Sequence, residues 1–258
     1  MALPELETIT IEQDGGIAFM YLDRPEKLNA MNQTMFDELG DAADYIRDEP
    51  SVKVAVISGR GRAFCAGIDL GSVNQFQGKE PVEFRTMVRK VQRNFRAFEL
   101  IEKPVIAMVH GHCLGAGMEL ALASDMILAS TEATFGLLEV GLGLVTDLGA
   151  TQRLPRFVGI HRAKELIMTG KRIDAAEAER IGLINALYQP EELEPAARAL
   201  AEHLMSVSPV AMGLCKMAID RSVPTLEANL EFEAQSQSIC FSYMMEKLAK
   251  GSAGGDGA

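Results

Sequence analysis

The sequence has few cysteines for its length. Only four occur in 258 residues, at Cys65, Cys113, Cys215 and Cys240, and no two of them have CxxC spacing. A chain of this size buries enough apolar surface to fold without disulfides. We therefore expect reduced thiols and a cytoplasmic protein, because disulfide frameworks are rare in that compartment.

Long hydrophobic runs are also missing, and the first residues carry no positive charge. No apolar stretch reaches the roughly 20 residues that a transmembrane helix needs. The opening MALPELETITIEQ contains acidic residues and no basic one, unlike a signal or transit peptide. We therefore expect neither a membrane span nor an N-terminal targeting segment.

Positive charge is scarce throughout the chain. Lysine and arginine together number 25 against 36 acidic residues, which gives a net charge of −11. An acidic surface disfavours nucleic acids and anionic membranes as partners, although an anionic small ligand still fits a locally basic site. A basic cluster lies in the segment 80–102, and we interpret it as a solvated helix face or a contact for ligand phosphate. Its members are Arg85, Arg89, Lys90, Arg93 and Arg96.

The deficit of positive charge is complete between Pro104 and Gln152, where 49 residues include no Lys or Arg. Five acids lie in this stretch. Asp125 and Glu132 adjoin Ser and Thr in turn-like surroundings, so we expect them at the surface. The other three lie among Leu, Val, Met and Gly, and they are Glu119, Glu139 and Asp147. Ionised carboxylates are seldom buried without a partner, so these three are candidates for chemistry.

Hydrophobic patterning predicts an α/β body followed by a helical C-terminal part. Two β-rich runs around Asp14-Gly15-Gly16 predict a hairpin, and Asn32 is a suitable cap for the helix that follows. The predicted strands are 9–12, 17–22, 52–57, 105–109, 126–129 and a short one at 134–135. The predicted helices start near 32 and then cover 80–102, 118–123, 148–157, 160–168, 174–181, 191–207, 209–220 and 224–249. The tail 250–258 is predicted to be disordered.

The segment HGHCLGAGMELALAS leads from a glycine-rich turn into an apolar helix with a single acid, Glu119. The free N–H groups and the dipole of a first helical turn favour negative charge, and Gly115 and Gly117 let a ligand approach the backbone. Glu119 is therefore either an acid that satisfies the first turn or a buried general acid/base beside an oxyanion-binding turn. The loop RAFCAGIDL is a second candidate source of N–H donors, although a plain tight turn explains it equally well.

Two further local patterns have competing interpretations. Asp147 precedes the predicted start of a helix at Leu148, so it is either an N-cap without a chemical role or an acid that also points into a pocket. His110, His112 and Cys113 are close enough in sequence to suggest a metal site. They lack a fourth ligand at the usual spacing, so we expect no bound metal.

Four stretches together resemble the crotonase superfamily of enoyl-CoA hydratases and isomerases. They are LDRPEKLNAMN, GRAFCAGIDL, PVIAMVHGHCLGAGMELALASDMILAS and ATFGLLEVGLGLVTDLGATQRLPRFVG. The likeness runs from about Ile9 to Lys247. It implies a spiral of ββα repeats that forms an acyl-CoA-binding core over 1–200, and a helical oligomerisation region over 201–249. It also implies homotrimers or dimers of trimers, and no cofactor other than the coenzyme A of the substrate.

The resemblance assigns binding roles as well. The thioester oxygen of the substrate would lie against the backbone N–H groups of Ile68 and Ala116, which would stabilise an enolate. Many relatives have glycine in place of Ala116, so its methyl group is expected to narrow the pocket. The coenzyme A side would be lined by Lys27, Leu28, Ala66, Asp69 and Leu70. Lys27 is explained equally well as a solvated lysine.

The three carboxylates match two different reactions of the family. Glu119 and Glu139 match the glutamate pair with which hydratases hold a water and transfer protons. Asp147 instead matches dienoyl-CoA isomerases, where an acid eight residues after the second carboxylate completes a proton shuttle. The stretches GIDL and EVGLGLVTDLG favour this isomerase branch, although the first acid of that branch is typically aspartate.

We therefore favour the isomerisation of 3,5-dienoyl-CoA to 2,4-dienoyl-CoA. Glu139 would act near C2 and Asp147 farther along the chain, while Glu119 orients or polarises the substrate. One acid must start ionised and the other protonated, and neighbouring carboxylates push each other's pKa values apart. Hydration of a 2-enoyl-CoA, with Glu119 and Glu139 sharing the water, is the alternative. A catalytically silent acyl-CoA-binding or scaffold protein is the second alternative.

Overall fold

The computed structural model describes residues 3–72 and 80–220. The strands are β1 Ile9–Asp14, β2 Ile17–Leu22, β3 Val54–Gly59, β4 Val105–Val109, β5 His112–Leu114, β6 Met126–Ser130, β7 Thr134–Gly136, β8 Ile173–Asp174 and β9 Ala186–Tyr188. The helices are α1 Gln33–Asp48, α2 Pro81–Leu100, α3 Ala116–Ala121, α4 Ala150–Val158, α5 Ile160–Thr169, α6 Ala175–Arg180, α7 Pro190–Met205 and α8 Pro209–Asp220. Short 3-10 helices cover Pro25–Lys27 and Glu139–Leu142. The predicted helix 224–249 and the predicted tail 250–258 lie outside the described residues.

The strands form two sheets. The larger one has the order β1-β2-β3-β4-β6-β9 and is parallel except for the β1–β2 hairpin. The smaller one, β5-β7-β8, is continued by parallel bridges between Met31 and Ile68 and between Cys65 and Cys113. Each turn of chain thus supplies a long strand to one sheet, a short extended piece to the other, and then a helix. The predicted α/β fold, a spiral of ββα turns, is confirmed.

The core lies on both faces of the larger sheet. Every residue of β2, β3 and β4 is buried, as expected for strands that are covered on both sides. The side chain of Asn32 accepts a hydrogen bond from the N–H of Met35 at 2.9 Å, so the predicted cap of α1 is confirmed. On α2, the apolar side packs inward while the five predicted basic residues are exposed. Among the described residues, no helix is long and apolar enough to cross a membrane.

Several boundaries differ from the predictions. Strand β3 lies two residues later than predicted, because the parallel pairing of Ile17 with Val54 sets its start. Strands β5, β8 and β9 were not predicted, since two or three residues are too few to show a period. Helix α3 begins two residues early, at Ala116, and α4 begins two residues late, at Ala150. The late start of α4 changes the environment of Asp147.

Glu132 is exposed as predicted, whereas Asp125 is only partly exposed, with 20% of its side chain accessible. The carboxylate of Asp125 accepts hydrogen bonds from the N–H of Val105 at 2.7 Å and from Nζ of Lys216 at 2.9 Å. Only 9% of the Lys216 side chain is exposed. This pair fastens α8 to the start of β4. Lys216 is 91 residues away along the chain, so the sequence around Asp125 does not reveal the contact.

Asn29 ties the loop before α1 to the loop after β3. It is fully buried and has a left-handed φ of 55°. Its Oδ1 accepts from the N–H of Arg24 at 2.9 Å, and its Nδ2 donates to the carbonyl oxygens of Arg60 and Ala63 at 2.9 and 2.7 Å. These two loops carry all the residues that are predicted to line the coenzyme A side. The side chain of Asn29 therefore sets the spacing between them.

We expect Asn29→Ala to lower the free energy of unfolding by about 3 kcal/mol, because buried carbonyls lose their donors and alanine is strained at this φ. Asn29→Gly loses the same hydrogen bonds without the strain, so it should be about 1 kcal/mol less destabilising. Urea unfolding of both variants and the wild type, at one protein concentration, measures these differences. If Asn29→Ala were as stable as the wild type, the hydrogen bonds assigned to the Asn29 side chain would be contradicted.

Candidate active site

The loop after β3 and the loop before α3 touch at two glycines. A Cβ atom added to Gly67 would lie 3.1 Å from the carbonyl oxygen of Leu114 and 3.7 Å from the Cα of Gly115. Gly67 has a φ of 103° and Gly115 a φ of 50°, so both adopt conformations that favour glycine. The contact brings the next residue of each loop, Ile68 and Ala116, to neighbouring positions.

The N–H groups of Ile68 and Ala116 donate no hydrogen bond within the described part of the chain. The bridge at Ile68 uses the carbonyl of Gly67 and the N–H of Asp69, both bonded to Met31, and leaves the Ile68 amide out. Ala116 is the first residue of α3, where an amide has no partner within the helix. Two unpaired donors on touching loops form an arrangement that is suited to bind an oxyanion.

Glu119 lies on α3 and is only 1% exposed. Its Oε1 accepts hydrogen bonds from the N–H groups of Leu148 and Ala150, at 2.9 and 3.1 Å. Burial raises the pKa of Glu119 to about 8, the charges of Glu139 and Asp147 add to the rise, and the two amides oppose it. The interpretation of Glu119 as an acid that satisfies the first turn of its own helix is therefore wrong. It is a buried carboxyl group whose raised pKa favours the protonated form.

Glu139 lies over the glycine contact. Its Oε1 would be 2.9 Å from a Cβ atom at Gly115, so the absence of a side chain there lets the carboxylate approach the loop. Its Oε2 accepts a hydrogen bond from Oγ1 of Thr146 at 3.2 Å. Burial raises the pKa of Glu139, and the charge of Asp147 raises it further. Thr146 was not predicted, and its sequence signal is a lone hydroxyl in the apolar run before Asp147.

Asp147 is not a helix cap, so that interpretation is wrong. The N-cap of α4 is Gly149, which has no side chain to cap with, and Asp147 lies two residues before it. Burial raises the pKa of Asp147, and its charge raises the pKa of both Glu119 and Glu139. The three predicted carboxylates therefore form one electrostatic cluster. Within the described ranges, no lysine or arginine is among the causes of these shifts.

A family model described as enoyl-CoA hydratase/isomerase matches residues 12–253. The chain belongs to this family. Among its relatives, the crotonyl-CoA hydratase of Syntrophomonas wolfei is 39% identical, and the match covers 93% of this chain and 92% of that protein. A peroxisomal Δ(3,5)-Δ(2,4)-dienoyl-CoA isomerase of Arabidopsis thaliana is 34% identical, over 89% of this chain and 86% of that protein.

A solved structure supports the same membership. The putative enoyl-CoA hydratase of Thermobifida fusca, in complex with CoA, superposes with a TM-score of 0.84 at 32% identity, over 93% of this chain and 95% of that one. The predicted crotonase superfamily is thereby confirmed, and the protein is a crotonase-family acyl-CoA enzyme. The preference for isomerase over hydratase is not supported by these comparisons, since the hydratase relative is more similar to this chain than the isomerase relative.

The residues expected on the coenzyme A side belong to two loops that the structure joins. The N–H of Ala66 donates to the carbonyl oxygen of Leu28 at 2.9 Å. Arg24, which was not predicted, pairs with Asp69 at 3.0 Å and is 15% exposed. Its sequence signal is its place in the LDRPEK stretch. This ion pair braces the loop that carries Ile68.

Lys27 and Leu70 lie at the open edge of these loops. Both side chains are exposed, and Leu70 is 61% exposed. Both residues are accessible to a ligand. The exposure of Lys27 is explained equally well by a lysine that contacts only water. Their role toward coenzyme A stays a prediction.

His110, His112 and Cys113, for which we expect no bound metal, have other contacts. Nδ1 of His112 lies 2.9 Å from Oγ1 of Thr134, and Nε2 of His110 lies 3.0 Å from the carbonyl oxygen of Gly61. Cys113 is fully buried. His112 thus links β5 to β7, and His110, between β4 and β5, contacts the loop after β3.

We expect Gly115→Ala to reduce turnover roughly 100-fold, because the new methyl group displaces Glu139 and strains the loop that presents Ala116. Gly15→Ala is the matched control, since Gly15 also has a positive φ but no atom within 4 Å of an added Cβ. Steady-state kinetics with an acyl-CoA substrate measures the effect. Equal activity of the two variants would contradict the placement of Glu139.

The raised pKa of Glu119 also predicts how stability depends on pH. Because the folded state holds a proton that the unfolded chain releases above pH 4.5, the stability from this group is complete below pH 4.5 and is lost as the pH rises through about 8. Compared with Glu119→Gln, the wild type should lose up to about 5 kcal/mol over this window. Urea unfolding at a series of pH values tests this. The exposed control Glu132→Gln should follow the wild type, and a pH-independent difference for Glu119→Gln would count against a buried, neutral Glu119.

Proposed function

We propose that this enzyme converts a 3,5-dienoyl-CoA into a 2,4-dienoyl-CoA. The observation that carries the proposal is Asp147, a third partly buried carboxylate that caps no helix. Its charge raises the pKa of Glu119 and of Glu139, so it belongs to the same cluster. A hydratase needs only two carboxylates around a water. A third acid in the same cluster suits a proton transfer to a carbon farther along the acyl chain.

The proposed reaction is a proton shift with an enolate intermediate. The thioester oxygen accepts from the N–H groups of Ile68 and Ala116, which stabilise the negative charge as it forms. Glu139, beside that loop, takes a proton from C2 while the electrons of the breaking C–H bond move into the dienolate. Asp147 then delivers a proton to C6, which leaves double bonds at C2 and C4. The net change is one C–H bond broken and one formed.

The pKa shifts suit these two roles. Burial raises the pKa of both Glu139 and Asp147, and two charged groups so close to each other are disfavoured. The charge of Asp147 raises the pKa of Glu139, so ionisation of one acid favours protonation of the other, which suits a base and an acid in one step. Because Oε1 of Glu119 is bound to two amides, Glu119 contributes through its other oxygen and polarises the substrate. Every step is a proton transfer, so the proposal includes no cofactor beyond coenzyme A.

Hydration of a 2-enoyl-CoA is the second candidate. Two observations favour it: the hydratase relative described above is more similar than the isomerase relative, and residue 119 is glutamate. In this reaction Glu119 and Glu139 hold a water, which adds to C3 while a proton reaches C2. The same N–H groups stabilise the enolate. A homotrimer or dimer of trimers in the cytoplasm stays our prediction for either activity.

Ultraviolet absorbance separates the two reactions. With 3,5-dienoyl-CoA, an isomerase makes absorbance grow at long wavelength as the product becomes conjugated, and we expect Asp147→Asn to slow this growth at least ~100-fold. With a 2-enoyl-CoA, a hydratase makes the enoyl thioester band disappear. The control Glu132→Gln removes an exposed carboxylate and should keep wild-type rates in both assays.

Each outcome assigns the function. An increase in long-wavelength absorbance with 3,5-dienoyl-CoA that is lost in Asp147→Asn supports the isomerase, with Asp147 as the proton donor. Fast loss of the enoyl band, unchanged in Asp147→Asn but lost in Glu119→Gln, supports the hydratase and overturns the isomerase. No change with either substrate would support the silent acyl-CoA-binding alternative.

A further inference from the structure

Helix α2 holds the segment between Asp147 and Ala150 at two points. Nε2 of Gln92 donates to the carbonyl oxygen of Asp147 at 2.6 Å. Two turns later, both carboxylate oxygens of Glu99 accept from Arg153, at 2.6 and 2.8 Å. Gln92 and Glu99 are seven residues apart, so they lie on the same face of α2. This face is therefore directed at the segment that follows Thr146.

Arg153 connects α2 to the backbone of that segment. Its Nη1 donates to the carbonyl oxygen of Leu148 at 2.7 Å. The guanidinium also lies against Gly149, where an added Cβ atom would be 2.7 Å from Cζ of Arg153. A side chain at Gly149 would overlap the guanidinium, so glycine is needed for this contact. Only 12% of the Arg153 side chain is exposed, which limits competition from water.

The same segment also binds Glu119. The carbonyl of Leu148 accepts from Arg153, while the N–H groups of Leu148 and Ala150 donate to Oε1 of Glu119. Hydrogen bonds thus join Glu99 to Arg153, Arg153 to the carbonyl of Leu148, and the N–H of Leu148 to Glu119. Oε2 of Glu119 has no hydrogen-bond partner among residues 3–72 and 80–220. Movement of the backbone at Leu148 would therefore alter the hydrogen bonds to Oε1 of Glu119.

We propose that Arg153 is a positioning residue for Glu119. By fixing the carbonyl of Leu148, it keeps two amides on Oε1 and leaves Oε2 as the oxygen that faces the substrate. The catalytic part of this inference rests on the proposed function, in which Glu119 acts on the substrate. The effect of Arg153 on the proton affinity of Glu119 does not depend on that function and is tested separately.

The first test measures the pKa of Glu119 in Arg153→Met. The two backbone hydrogen bonds lower this pKa, so their loss should raise it above its value of about 8. General loosening of the core would have the opposite effect, because water would relieve the burial that is the main cause of the shift. The pH dependence of unfolding, with and without Glu119→Gln in each background, gives the pKa. An increase supports the proposal, and an unchanged or lower pKa overturns it.

The second test compares kcat with KM. We expect Arg153→Met to lower kcat roughly 30-fold while KM stays within about 3-fold, because a displaced group affects the transition state more than binding. Arg153→Lys keeps a cation opposite Glu99 and should recover part of the rate. Arg162→Met is the matched control, since Arg162 forms a 2.7 Å ion pair with Glu165 on the surface of α5. Equal kcat for Arg153→Met and Arg162→Met, or an effect confined to KM, overturns the proposal.

Two provisions keep these tests decisive. If Arg153→Met does not fold, the pKa of Glu119 and the kinetic constants are measured in Arg153→Lys and Glu99→Gln instead. We expect a smaller increase of the pKa and a smaller decrease of kcat in these variants. If the wild type turns over neither acyl-CoA substrate, the proposed function fails while the pKa measurement still decides whether Arg153 positions Glu119.

Discussion

A carboxyl group buried without a cation must be stabilised by backbone amides or hold a proton, and Glu119 meets both conditions. It is the single acid of α3, and its partners are the amides of Leu148 and Ala150. To supply them, the chain after the 3-10 helix at Glu139–Leu142 must return past α3 before α4 begins. This return also places Thr146 on Glu139 and Asp147 in the same cluster. The environment of one buried acid is therefore inseparable from the positions of the other two.

The spiral of ββα turns supplies the second half of the site. Strands β3 and β4 are parallel neighbours, and beyond their ends Cys65 pairs with Cys113 in the smaller sheet. Ile68 and Ala116 each lie three residues after one member of this pair, so successive turns present equivalent amides side by side. Touching glycines just before these residues allow the close approach. The parallel pairing of the strands therefore places the two N–H donors side by side. This arrangement requires neither a long helix nor a charged side chain.

One acid separates the two candidate reactions. Both use the same amides to stabilise an enolate, and both require Glu139 close to the carbon next to the thioester. They differ in where the second proton goes, and only the isomerase needs an acid deeper along the acyl chain. The pKa of every member of the cluster is raised by burial, so the environment of each acid decides which of the carboxyl groups are protonated. Support of the segment Asp147–Ala150 by α2 therefore bears directly on that choice.

The sequence by itself determined the α/β class, the hairpin, the capped start of α1 and the family, because periodicity, caps and turns depend on a few neighbouring residues. It also identified the three carboxylates, since a stretch without any cation is visible in composition alone. Only the tertiary structure decided that α4 begins at Ala150 and that Asp147 therefore caps nothing. It likewise decided that Glu119 is held by amides about 30 residues away, and that Asp125 pairs with Lys216, 91 residues away. Such partners meet only when distant segments close on one another, and no local pattern encodes that distance.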